Sequence, residues 1–114
     1  MPTFNRGDLS LSTSWLRESD PQRILDLVQA AGFSRVELEY RLHPATLAGL
    51  RAGLRQRGMS VTSVHNFCPY PPEAAGKLEP SGDLFNLASA AREERQLAVR
   101  YTAVSLATAA DLEA

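Results

Sequence analysis

Arg35-Val36-Glu37-Leu38-Glu39-Tyr40, followed by Val61-Thr62-Ser63-Val64-His65-Asn66, decides the fold of this chain. With Leu9-Ser10-Leu11-Ser12-Thr13-Ser14 these stretches read as three strands whose side chains alternate between two faces. One face collects Leu9, Leu11, Val36, Leu38, Tyr40, Thr62 and Val64, and the other collects Ser10, Ser12, Ser14, Glu37, Glu39, Val61, Ser63 and His65. Parallel sheets covered by helices on both sides read as continuous apolar runs, so a face this polar is expected to meet water, a ligand or a barrel lumen.

Helical patterns separate the three strands. Asp20 is placed to cap a helix that begins at Pro21 and carries Ile24, Leu25, Leu27, Val28 and Ala31 before Gly32 stops it. A second helix starts near Pro44, carries Leu47, Leu50 and Leu54, and ends at Gly58. After an irregular stretch from Phe67 to Asp83, a long helical pattern runs from about Ala90, with Leu97, Tyr101, Val104 and Leu112 as its expected buried stripe. Strand centres near Ser12, Leu38 and Ser63 lie 26 and 25 residues apart, the rhythm of parallel strands joined by helical crossovers. The fold class is therefore α/β. A complete (β/α)8 barrel needs about 250 residues, so residues 1–114 are expected to supply three to four βα units of one, a partial barrel truncated at its C-terminus.

Composition narrows the function classes. Twelve Lys and Arg against thirteen Asp and Glu give a net charge of -1, with no overall field to attract nucleic acid or an anionic membrane. No apolar run approaches a membrane span and the first residues lack signal-peptide order, so the chain is expected in the cytoplasm. A single cysteine, Cys68, excludes an internal disulfide and a cysteine zinc site, and it reads as a reduced loop thiol. Arg51, Arg55 and Arg57 read as a solvated helix face. No Gly-rich phosphate loop is present, which leaves NAD and ATP roles without support.

Leu11-Ser12-Thr13-Ser14-Trp15, Ala31-Gly32-Phe33-Ser34-Arg35-Val36-Glu37-Leu38-Glu39 and Gly58-Met59-Ser60-Val61 leading to Val64-His65-Asn66 resemble the N-terminal part of the xylose isomerase-like TIM-barrel superfamily. Pro80-Ser81-Gly82-Asp83 and Glu93-Glu94-Arg95-Gln96-Leu97-Ala98-Val99 are similar to the same group. The resemblance implies a sugar or sugar phosphate isomerase or epimerase of carbohydrate metabolism, acting by metal-assisted proton transfer next to a carbonyl. It also implies a divalent metal, Mn, Co, Mg or Zn, in the complete barrel. The principal metal ligands and acid/base carboxylates of such enzymes lie on later strands, so no catalytic residue is assigned here, and this segment alone is expected to be inactive.

Within that frame the expected substrate-binding residues are His65, Asn66, Glu39 and Trp15, with His65 also a potential metal ligand. His65 ends its strand, where barrel enzymes place functional groups, and a neutral imidazole there can bond a substrate oxygen or a metal. Its plainer role is to cap the strand and bond nearby backbone. Glu39 lies nearer the mouth than Glu37 and is suited to sugar hydroxyls, whereas Glu37 suits an internal ion pair. Trp15 offers an apolar wall for a sugar or packs on the first helix, and Tyr70 is expected to pack under its own loop. Two other readings remain open at this level. An endonuclease IV-like phosphodiesterase would need more basic residues, and a catalytically silent half-barrel would associate with another chain through its open sheet edges.

Overall fold

Each helix is bounded by the chemistry of its ends. In the computed structural model, which describes residues 1–74 and 84–114, helix α1 spans Pro21–Ala30. Asp20 Oδ1 accepts the Gln22 and Arg23 amide hydrogens at 2.9 and 3.4 Å, and Pro21 fills the first position, where no amide is required. Helix α2 spans Pro44–Arg57 and closes on Gly58, whose φ of 63° is the left-handed conformation that a side chain would oppose. Helix α3 spans Arg92–Asp111.

Between the helices, β1 (Leu11–Ser12), β2 (Arg35–Leu38) and β3 (Ser60–Val64) form a parallel sheet in the order β1-β2-β3. The fold is mixed α/β, with the strands adjacent in chain order. Ile24, Leu25 and Val28 of α1 and Leu50 and Leu54 of α2 bury against Val36, Leu38 and Val61, and Leu112, just beyond α3, packs on the same core. At Gly53 the two helices approach so closely that an added Cβ would lie 2.6 Å from Leu25 Cδ1. Arg57 braces the same contact by donating to Asp26 Oδ1 at 2.8 Å and Gln29 Oε1 at 2.9 Å. It is thus an interhelical clamp rather than part of a solvated face, and Arg51 pairs with Asp111 to tie α2 to α3.

A second cluster lies under the long loop after β3, where Phe67, Tyr70, Ala74, Leu84 and Phe85 pack on Ala98 and Tyr101 of α3. Tyr70 does pack beneath its own loop, its hydroxyl donating to the Ala74 carbonyl at 2.6 Å. The Pro80-Ser81-Gly82-Asp83 stretch lies outside the described residues.

Several expectations require correction. The first strand is two residues long because Thr13–Trp15 turn into a 3-10 helix, and Leu9 is exposed rather than facing the core. Strict alternation fails in β3. Val36 pairs with Val61 but Glu37 pairs with Ser63, which leaves Thr62 as the extra residue of a β-bulge. The bulge turns Val61 into the core and Thr62 onto the polar face, the reverse of the assignment from periodicity. On α3 the buried residues are Ala98, Tyr101 and Ser105, while Val104 is exposed.

Candidate functional site

Register places Ser12, Glu37 and Ser63 side by side on the face opposite the helices. Ser63 Oγ donates to Glu37 Oε2 at 2.7 Å, which holds the carboxylate across the sheet. One step toward the strand starts, Thr62 Oγ1 lies 2.6 Å from Ser10 Oγ and 3.3 Å from the Val36 carbonyl. Ser10 immediately precedes β1, and Thr62 lies in β3. In a flat sheet those backbones would stand roughly 9–10 Å apart, beyond the reach of two such short side chains. Their contact brings the residue before β1 across to β3 on the polar face.

The carboxyl edge of this polar face carries His65. Its amide donates to the Leu38 carbonyl at 2.7 Å, prolonging the β2–β3 ladder by one bond, and its ring lies 5.2 Å from the Tyr40 ring. Nδ1 sits 2.7 Å from the Asn66 carbonyl oxygen. A carbonyl can only accept, so Nδ1 carries a proton, and in the neutral form of the ring the lone pair is on Nε2. The backbone bond expected of a strand cap and the free nitrogen needed for a ligand thus occur on one ring.

Glu39 does not join Glu37. The strand ends at Leu38, and Glu39, 4% exposed, lies in a network linking the turns after β1 and β2. Its amide donates to Thr13 Oγ1 at 3.2 Å, and its Oε2 accepts from Arg41 Nε at 2.7 Å. Arg41 Nη2 also donates to the Ser14 carbonyl, and hydrogen bonding to Glu39 raises the guanidinium pKa above its ordinary value. Glu39 borders a cleft with Leu16, Glu18, Arg41 and His43 at the mouth of the sheet, with its charge already neutralised.

Asn66 is also committed. Its Nδ2 donates to Thr102 Oγ1 at 3.0 Å and its Oδ1 accepts from Ser105 Oγ at 2.8 Å, both on α3. Trp15, in the 3-10 turn beyond the end of β1, is 53% exposed. Cys68 is fully buried, and burial, with a further contribution from the Glu39 charge, pushes its thiol up to about 12. It is inert as a nucleophile under neutral conditions.

The structure thus gathers Ser10, Ser12, Glu37, Thr62, Ser63, Tyr40 and His65 into one surface, and it assigns Glu39 and Asn66 to holding the rim. Periodicity missed Thr62 because of the bulge and missed Tyr40 because the chain leaves the strand after Leu38. Arg41, two residues after Glu39, was the available signal that Glu39 would be paired. Among the described residues no group of three or more His, Cys, Asp or Glu side chains is assembled that could hold a metal ion. His65 offers one nitrogen donor, which by itself does not fit a divalent metal centre. Comparison of the chain with protein-family models, curated proteins and solved structures gives no match.

Proposed function

We propose that this chain forms the opening βα units of a (β/α)8 barrel of the xylose isomerase-like kind, and that its polar face binds a sugar or sugar phosphate undergoing isomerisation or epimerisation in the complete barrel. The observation that carries the reading is the Ser10–Thr62 contact at 2.6 Å. In such barrels the inward side chains of alternate strands meet in layers, and here Ser10, just before β1, meets Thr62 of β3 beside the Val36 carbonyl of β2. Helices confined to the opposite face, and strands adjacent in chain order, agree with that architecture.

The chemistry of the face suits a polyol. Serine and threonine hydroxyls both donate and accept, and Glu37, oriented by Ser63, accepts from sugar hydroxyls. At the carboxyl edge, His65 Nε2 accepts a hydrogen bond from a substrate hydroxyl beside the carbonyl. Trp15 at the same end supplies an apolar surface for a sugar ring.

Trp15, the only tryptophan, also provides the test. Titration with free pentoses and hexoses and with their phosphate esters is expected to change its fluorescence saturably, and Glu37→Gln is expected to weaken that response at least about threefold, one lost charged hydrogen bond being worth on the order of 1 kcal/mol. No saturable response to any of these sugars, or an affinity indifferent to Glu37→Gln, would overturn the reading.

A further inference from the structure

His65 is the only group on the candidate face whose chemistry depends on which of two nitrogens holds a proton, and the residues that decide this lie on a helix away from the sheet. The chain of contacts starts at Ser105, buried on α3. Its hydroxyl accepts the Cys68 amide hydrogen at 3.0 Å and lies 2.8 Å from Asn66 Oδ1, so a single side chain holds the Cys68 backbone and the Asn66 side chain on either side of Phe67. Thr102, one turn earlier on α3, receives the other end of the Asn66 amide at 3.0 Å. Both polar ends of that side chain are thereby fixed, and with them the direction of the Asn66 carbonyl that meets His65 Nδ1 at 2.7 Å.

We infer that Ser105 and Thr102 are positioning residues for His65: acting through Asn66, they hold the neutral imidazole in the tautomer protonated at Nδ1 and aim the Nε2 lone pair over the carboxyl edge of the polar face. The functional weight of this inference rests on the sugar-binding reading of that face, but the tautomer itself does not. An amide carbonyl that swung away would release Nδ1, and the ring would revert to the other tautomer, which an unconstrained imidazole favours. Nε2 would then donate instead of accept, and a substrate hydroxyl would meet the wrong partner. The arrangement resembles in logic the outer hydrogen bonds that set the orientation of a working histidine in other sites. Ser105 and Thr102 touch no part of the polar face themselves, and a purely structural role for them would leave the tautomer unchanged.

The experiment is long-range 1H–15N spectroscopy of the imidazole nitrogens in the full 114-residue chain. It is run without ligand, at a pH about two units above the ordinary histidine value of about 6.5, where the ring is neutral. In the unaltered chain His65 is expected to show a protonated Nδ1 and an unprotonated Nε2. Ser105→Ala and Thr102→Val are each expected to move both shifts toward the opposite tautomer, and Ser105→Thr is expected to restore them. Thr102 is only half-buried, so Thr102→Val keeps the test in force if Ser105→Ala fails to fold. A native spectrum with Nε2 protonated, or variants that fold and leave the His65 shifts in place, would overturn the inference. Sugar binding is measured separately, on the same samples. An unaltered chain that binds sugar with Nε2 protonated, or variants that keep the tautomer, refute this inference alone, whereas an intact tautomer without sugar binding refutes only the functional reading.

Discussion

Replacing Arg41 with methionine tests whether the Glu39–Arg41 pair holds together the mouth of the sheet. Arg41 Nε donates to Glu39 Oε2 at 2.7 Å, and its Nη2 reaches the Ser14 carbonyl and, at 3.4 Å, the Leu16 carbonyl, joining the turn after β1 to the turn after β2. The Glu39 side chain is 6% exposed and the Arg41 side chain 35%. Breaking a fully buried pair costs roughly 3–5 kcal/mol and an exposed pair contributes less than about 1, so this half-screened geometry places Arg41→Met at about 2 kcal/mol. With an unfolding entropy of about 2.1 cal/mol/K per residue, that loss lowers Tm by about 8 °C. Urea unfolding of Arg41→Met, Glu39→Gln and the double variant gives the coupling between the two side chains, separate from the bonds Arg41 makes to carbonyls. A coupling of about 1.5 kcal/mol or more is expected, because methionine leaves the carboxylate enclosed without a partner. A coupling below about 0.5 kcal/mol would refute the argument and reduce the pair to a surface contact.

Other consequences follow from the same structure. The Cys68 thiol is held up to about 12 from 9.0, chiefly by burial, so the folded chain keeps a proton that the unfolded chain releases. Its contribution is complete below pH 9 and is lost as pH rises from about 9 toward 12, a slope of about 1.4 kcal/mol per unit that Cys68→Ala should remove. The folded chain should also react with an aromatic disulfide reagent at pH 8 only on the timescale of unfolding, and fast labelling would contradict the burial. Gly53→Ala forces a Cβ to within 2.6 Å of Leu25 Cδ1 between α1 and α2 and is expected to cost about 1–3 kcal/mol in urea unfolding. Gly58→Ala meets no neighbouring atom but opposes a φ of 63°, so its cost is expected near 1 kcal/mol. Calorimetric titration with Mn2+ or Co2+ is expected to show no stoichiometric site, since among the described residues His65 stands without the further ligands a centre needs, and a tight site would contradict that view.

The helices were legible because their signals are local. Asp20 and Pro21 start α1, Pro44 starts α2, Gly58 ends it, and each residue does its work within one turn of where it stands. The polar face was legible as a pattern for the same reason, since Ser12, Glu37 and Ser63 sit at equivalent steps of their strands. What escaped depends on contacts between distant segments. A bulge at Thr62 cannot be read from alternation, because the extra residue is defined only by the partner strand it fails to meet. Glu39 looked available for a ligand because its neutralisation depends on the strand ending one residue before it, which lets Arg41 turn back. Asn66 looked equally available until Thr102 and Ser105, 36 and 39 residues further on, came into contact with its two ends.

The central claim is that the polar face, with His65 at its carboxyl edge, is where a sugar binds. Amide chemical-shift mapping of the 15N-labelled chain with free sugars and their phosphate esters tests it most directly. Shifts that saturate and concentrate at Ser12, Glu37, Thr62, Ser63 and His65 are the predicted result. Saturable shifts centred instead on the helical side, or no saturable shifts on the polar face, would contradict it.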